Sequence, residues 1–437
     1  MQHWRTVIKV AFIGAGSIEF TRNVVTDLCS YAELGAGGLH LALHDISPER
    51  LEFAEALVRA IVTQTGADAT VTTSLQRGPV LDGAKYVINE VQVGGYPSTL
   101  TDFEIPAKYG VRQTIGDTIG IGGISRGLRT IPLVTALATD MLQYCPDGYL
   151  LNYSNPMAML PWAVYAGTGF RNVYGLCHSV RDTHAFLAGL VGADPASVRF
   201  VTAGFNHQAF VLRFEQDGQS LYPQLAEVID NSPELQRRVR VEIFRRFGYF
   251  PTESSEHSAE YVPWFMRHDD QVAQYRIFVG DYLQRCEDNL AELELLQRQL
   301  AAGQELEIEP TDELASQFIH SVETGAEREI YVNVRNGGLI SSLPDECCVE
   351  VPCDLRKGSA TPKAVGVLPP QLAALNRTFL NVVELTVTAA LTGRREHVYQ
   401  AALLDPNTAA SLTVGQTVAM VDELLAAHAP LLPDGLR

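Results

Sequence analysis

An apolar run, Val7 to Ile13, stops at Gly14-Ala-Gly16-Ser17, and a helix-like pattern follows from about Thr21 to Leu34. A strand, a glycine turn and a helix in that order open a βαβ unit. Glycine permits the tight turn and lets a pyrophosphate approach the backbone at the helix N-terminus. The full signature has a third glycine, and here Glu19 stands in its place. Context supplies what the motif lacks. The second strand-like run, Leu39 to His44, ends at Asp45, where a carboxylate can accept both ribose hydroxyls. Asp45 lies beyond the usual spacing of about 20 residues, and the inserted Ala32–Gly38 loop accounts for that. Gly14, Gly16, Ser17 and Asp45 are thus the expected dinucleotide contacts. An acid at this position favours NAD over NADP, because it repels a 2′-phosphate. A plain glycine turn, with Asp45 as a helix-capping or solvated residue, is the alternative.

Strand-like and helix-like segments alternate through about the first 200 residues, the pattern of a parallel sheet with crossover helices. Ser47-Pro48-Glu49 starts a helix, since Ser can cap and Pro suits the first turn. Val71 marks a third strand and Lys85–Asn89 the next. The glycine-rich loop Ile115–Gly123 precedes a helix with apolar positions from Leu128 to Met141. Tyr149–Tyr153 is a further strand, stopped by Ser154-Asn155-Pro156. Beyond residue 200 long helical patterns dominate: Leu290–Leu300, Leu372–Leu391 and Val414–His428, with an extended piece around Glu329–Val334. The expected fold is α/β: a doubly wound, Rossmann-type domain like that of malate and lactate dehydrogenases over residues 1–200. A mostly helical α+β domain over 201–437 carries substrate, metal and oligomer contacts.

The net charge of −18 argues against a nucleic-acid or anionic-membrane partner, both of which call for basic surfaces. No apolar run is long enough to span a bilayer, and Met1–Arg5 does not resemble a secretory leader. Seven cysteines, odd in number and without framework spacing, favour reduced thiols in the cytoplasm. Cys347, Cys348 and Cys353 suggest a metal cluster or, better, small apolar fillers of a strand.

Cys177 ends a strand-like run, Asn172–Cys177, and His178-Ser179-Val180 follow at once. His207 ends another, at Gly204-Phe-Asn-His207. Both fall where carboxyl ends of strands are expected, the edge at which open α/β sheets build sites, and Asn155 falls there too. A thiolate and an imidazole can share a metal, although their spacing is not that of a zinc finger. A buried thiol and a satisfied core histidine are the alternative. Phe250–Trp264 carries three carboxylates, an imidazole, a phenol and an indole, as either a site segment or a polar surface loop.

Taken in order, Phe12-Ile-Gly-Ala-Gly-Ser17, Val93-Gly-Gly95, Gly116-Asp-Thr118 with Gly122-Gly-Ile124, and Leu128-Arg-Thr-Ile-Pro132 resemble glycoside hydrolase family 4. So do Leu151–Ala158, Cys177-His-Ser-Val180, Asn206-His207 and Thr252–His257. The Cys-His-Ser-Val and Thr-Glu-Ser-Ser-Glu-His segments look most like the family's α-galactosidases. The family stands apart from two-carboxylate glycoside hydrolysis.

The resemblance implies a redox-assisted elimination. C3 is oxidised transiently, C2 loses a proton to a base, the C1–oxygen bond breaks, water adds and C3 is reduced again. NAD and a divalent metal, Mn²⁺, are the implied cofactors, with Cys177 and His207 as metal ligands. His178 matches the proton donor to the leaving group, Tyr261 the base, and Asn155 a substrate-binding asparagine. Asp117 would touch metal-bound water or the sugar. A homodimer or homotetramer is implied.

Leu160-Pro161-Trp162 departs from the α-galactosidase pattern, which has a polar Asn-Thr pair there. Members acting on uronides, α-galacturonidases or α-glucuronidases, share much of this scaffold, and an inward Arg126 or Arg181 would signal such a substrate. A simple NAD-dependent dehydrogenase and a non-catalytic NAD sensor are the readings from other classes.

Overall fold

The computed structural model describes residues 7–35 and 38–437. The residues compared with a leader, Met1–Arg5, and part of the Ala32–Gly38 loop lie outside them. Six parallel strands follow the order β3-β2-β1-β4-β5-β6: β1 Ile8–Ile13, β2 Leu39–His44, β3 Ala69–Ser74, β4 Tyr86–Asn89, β5 Tyr149–Asn152 and β6 Val173–Gly175. This is the order of a dinucleotide-binding fold, with its direction switch between β1 and β4. Residues Val10–Ile13 and Tyr86–Asn89 are buried, as strands covered by helices on both faces must be. Ser47 caps the Pro48–Thr65 helix by accepting from Arg50 N, as its sequence requires. The first crossover helix starts already at Ile18 and stops at Ser30, because Tyr31 is extended.

The sheet continues past β6 with alternating direction. Strand β7 (Arg199–Phe205) is joined by β8 (Gln208–Gln216) and β9 (Gln219–Ser220), while β10 (Arg328–Arg335) and β11 (Cys348–Arg356) bridge it to β6. A last strand, β12 (Ser359–Pro362), pairs with β11. So the strand leading to His207 is half of an antiparallel hairpin rather than another member of the parallel set. Residues 200 and 201 both lie in β7, and one hydrophobic core runs from Val10 to Leu436. Cys347, Cys348 and Cys353 are buried, unpaired members of that core, the filler role. Long helices cover Asp281–Ala301, Pro370–Thr392 and Val414–His428. Among the described residues no helix is long and apolar enough to cross a membrane.

One buried ion cluster ties the chain's end to the helices beside the parallel sheet. Arg129, in the Gly120–Tyr144 helix, grips both oxygens of Asp102 at 3.0 and 2.7 Å. His428 lies 2.9 Å from the same carboxylate. Burial alone would raise the Asp102 carboxyl, but hydrogen bonds from His428 and Arg129 and the arginine charge outweigh it and hold it below its usual range.

Asp102→Asn leaves Arg129 buried without its counter-charge and should cost about 3–5 kcal/mol in urea unfolding, whereas Asp102→Leu with Arg129→Met should cost much less. A carboxyl held low in the folded state stabilises fully above its unfolded pKa of about 3.9, and that contribution is lost as pH falls through the native value. The unfolding midpoint of the wild type should therefore drop below about pH 4 more steeply than that of Asp102→Asn. Parallel curves would refute this.

Candidate active site

The crevice at the carboxyl ends of β1, β4, β5 and β6 is built first by the glycine turn. Gly14 and Ala15 both donate to His44 O, folding the turn against the end of β2, and Gly14 adopts φ +86°. A Cβ on Gly16 would lie 2.7 Å from Asp45 Oδ2 and 2.8 Å from Arg50 Cβ, so only glycine fits. Gly16 N–H donates to Asp45 Oδ2 and Ser47 N–H to Asp45 Oδ1, both at 2.9 Å. Asp45 thus braces the turn, and each oxygen keeps a lone pair for a further donor. Ser17 makes no side-chain cap, which leaves the first N–H groups of the Ile18–Ser30 helix open to an anion. Glu19 is exposed, which explains why a third glycine is dispensable here.

Cys177 follows β6, and its Sγ lies 3.2 Å from His207 Nε2. The segment after β8 brings Glu253, whose Oε2 is 3.7 Å from the same nitrogen. The ligand atoms of these three residues lie within 4.8 Å of one another, as do those of Asp117, His207 and His257. His207 and Glu253 both hold positive φ, +63° and +69°, a costly state for non-glycine residues that recurs at functional sites. Burial works against a cation on His207. The charges of Cys177, then Glu253 and Asp117, outweigh it and push the imidazole up to about 10. Negative groups that favour a proton on this nitrogen equally favour a metal cation in its place.

The hydrogen bonds settle how the His207 ring is oriented. Thr118 Oγ1 lies 2.8 Å from Asp117 Oδ1 and 2.9 Å from His207 Nδ1. Its single proton goes to the carboxylate, which can only accept, so His207 Nδ1–H donates to Thr118. Nε2, whose proton a bound metal would displace, faces Cys177 and Glu253. Asn155 donates to Asp117 Oδ2 at 2.8 Å. Glu260 accepts from the N–H groups of Thr114, Ile115 and Gly116 and clamps the loop that carries Asp117. Burial pushes this carboxyl up to about 7 against the pull of those backbone donors. The loop also lies so close to the next helix that a Cβ on Gly122 would meet Gly116 O at 2.4 Å.

Tyr261 is 1 % exposed, and its Oη lies 2.7 Å from His257 Nδ1 and 3.4 Å from His207 Nδ1. Burial, then the Asp117 charge, pushes its phenol well above the ordinary value. His178 turns the other way. Its Nε2 lies 2.8 Å from Glu313 Oε2, which also accepts from Tyr153 at 3.0 Å, and the Phe20 ring lies parallel to it. Burial would raise Glu313, but the His178 hydrogen bond leads the effects that hold it low.

The structure joins Cys177, His207, Asp117, Asn155 and Tyr261 in one network. It places Gly14, Gly16, Ser17 and Asp45 at the turn, and His178 against Glu313. Sequence reasoning assigned no role to Thr118, Glu253, His257, Glu260 or Glu313. For two of these a signal existed: Glu253, His257 and Tyr261 recur every four residues, although the helix starts only at Ser255 and Glu253 lies before it. The Phe250–Trp264 segment is no polar surface loop, since His257, Ser258, Glu260 and Tyr261 are all buried. Leu160 is fully buried in the main core. Arg181 is half-exposed and pairs with Asp182, whereas Arg126 is buried.

Comparison with known proteins identifies the family. The family 4 glycosyl hydrolase profile matches residues 9–193, and that of the family 4 glycosyl hydrolase C-terminal domain matches 202–408. An α-galactosidase of Bacillus subtilis (strain 168) is 40% identical over 431 residues, 98% of this chain and 99% of that one. An α-galactosidase of Rhizobium meliloti (strain 1021) is 34% identical over 439 residues, 97% and 89% of the two chains. A crystal structure of a 6-phospho-α-glucosidase from gut microorganisms, in complex with NAD and Mn²⁺, superimposes with a TM-score of 0.81 at 18% identity, covering 98% and 99%. The chain belongs to glycosyl hydrolase family 4.

Proposed function

We propose that the protein is an NAD- and divalent-metal-dependent α-galactosidase, with Mn²⁺ as the metal. The observation that carries the reading is the meeting of Cys177, His207 and Glu253 beside an uncapped, glycine-turned helix start. Likeness to two α-galactosidases over nearly the whole chain supports the choice of sugar.

The residues present fit both groups. The uncapped N–H groups at the start of the Ile18–Ser30 helix suit a pyrophosphate, and Asp45 keeps acceptor lone pairs for a ribose. One sulfur, one imidazole nitrogen and one carboxylate converge at the other end. Sulfur is a soft donor for Mn²⁺, but the carboxylate restores hard character. When bound, NAD would supply reversible oxidation of the sugar, and a metal held by Cys177, His207 and Glu253 would supply Lewis-acid stabilisation of developing negative charge.

The chain's own residues do the rest. Asn155 and Asp117 present a donor and an acceptor to the sugar hydroxyls. Tyr261 takes the C2 proton. Its phenol is held protonated by burial, so removing that proton requires positive charge nearby, and His207 lies between it and the metal donors. His178 donates to the departing oxygen through Nδ1, because Glu313 occupies Nε2. In this reading the protein is a cytoplasmic homodimer or homotetramer, in keeping with seven unpaired cysteines.

With NAD⁺, Mn²⁺ and reductant, 4-nitrophenyl α-galactoside should be cleaved while the NADH absorbance stays flat, and product formed in deuterium oxide should carry deuterium at C2. NADH growing in proportion to product would instead mark a dehydrogenase. Cys177→Ser should lower kcat/KM and raise the Mn²⁺ needed for half-activation by at least about 10–100-fold, the cost of losing even an outer partner, with NAD⁺ affinity unchanged. An unaltered Mn²⁺ dependence would remove Cys177 from the metal site. Glu313→Gln should slow alkyl galactosides far more than the 4-nitrophenyl one, whose leaving group needs little protonation. Equal slowing of both would deny His178 the acid role.

A further inference from the structure

Glu90 is a buried carboxyl behind the glycine turn. It stands just past β4 and is 6 % exposed, and its N–H donates to Ile13 O at 3.0 Å. The turn presses on the same segment: a Cβ on Gly14 would lie 3.0 Å from Val91 Cγ1 and 3.1 Å from Val91 N. Glu313 and the Tyr153 phenol are the titratable groups that reach Glu90, and neither brings positive charge. One carboxyl oxygen, Oε1, is sealed from solvent and meets no donor.

The other oxygen, Oε2, lies 3.0 Å from Thr21 Oγ1, near the start of the Ile18–Ser30 helix. That hydroxyl lies equally close, at 3.0 Å, to Ala15 O in the glycine turn. Thr21 has one proton to give, and Ala15 O can only accept. If Thr21 donates to Ala15, Oε2 must bring a proton of its own. If Glu90 were ionised, Thr21 would turn its proton to the carboxylate, and its oxygen would face the Ala15 carbonyl as two acceptors. Oε1 would then hold buried negative charge with no donor, which is costly. A neutral carboxyl satisfies both close contacts. Ligand charge points the same way. A dinucleotide brings its pyrophosphate to the start of this helix, and a carboxylate behind the turn would repel it at low dielectric.

We propose that Glu90 is a positioning residue that keeps its own proton, donates it to Thr21 Oγ1 and so frees Thr21 to hold the Ala15 carbonyl, locking the glycine turn to the end of β4 without placing a charge behind it. The inference rests on the reading of that turn as the dinucleotide site and goes beyond it in naming what sets the turn's shape.

The test uses the full-length protein at neutral pH. The infrared difference spectrum of wild type minus E90Q should show the carbonyl stretch of a protonated carboxylic acid; carboxylate bands in its place overturn the proposal. NAD⁺ titrations read the positioning. E90Q supplies an N–H where the acid supplies an O–H, so its NAD⁺ Kd should stay within about threefold of wild type, and a larger shift in either direction overturns the neutral lock. T21V should raise the Kd at least about fivefold, the worth of one ordinary hydrogen bond, and T21S should restore it. A folded T21V that binds NAD⁺ as the wild type does also overturns the proposal. Thermal melting reports whether T21V is folded; if it is not, the infrared band and E90Q decide. A wild type that binds no NAD⁺ overturns the reading of the turn, and this inference with it.

Discussion

A single hydroxyl proton orders this site. Thr118 must give it to Asp117, because a carboxylate cannot donate, and so it must receive from His207 Nδ1. That fixes the ring with Nε2 aimed at Cys177 and Glu253, where a metal would take the place of its proton. The backbone pays for the arrangement with two left-handed residues, His207 and Glu253, which persist because the surrounding bonds over-determine them.

The loop holding Asp117 and Thr118 is itself held from two sides. Glu260 gathers three successive N–H groups of Thr114–Gly116, and Gly122 lets the following helix approach Gly116 to contact distance. The same helix carries Arg126 to Tyr282 and Arg129 to Asp102, so the loop and the C-terminal anchor meet on one element.

Much of the Rossmann half was legible in the sequence because its signals are local. The apolar runs of β1, β2, β4 and β5, the Ser47-Pro48 start and the glycine turn each depend on neighbours a few residues away. Asp45 shows the limit: the sequence placed it at the strand end, while the structure shows that it also braces Gly16. The hairpin strand β7 was readable as a strand but not in direction, since antiparallel pairing with β8 and β11 is a non-local fact. The Phe250–Trp264 segment looked equally like a polar surface loop, and only its burial excludes that.

By itself, the sequence determined the parallel fold, the reduced thiols and the donor types at the site, because residue identity and short-range periodicity decide those. Only the tertiary structure decided which donors meet. Cys177, His207 and Glu253 come from three segments far apart in the chain, and no spacing rule connects them. It also decided that His178 faces Glu313, that Tyr261 is sealed from solvent, and that Arg126 stacks on Tyr282. Each of these depends on what packs around a side chain, which burial and long-range register set and local sequence does not.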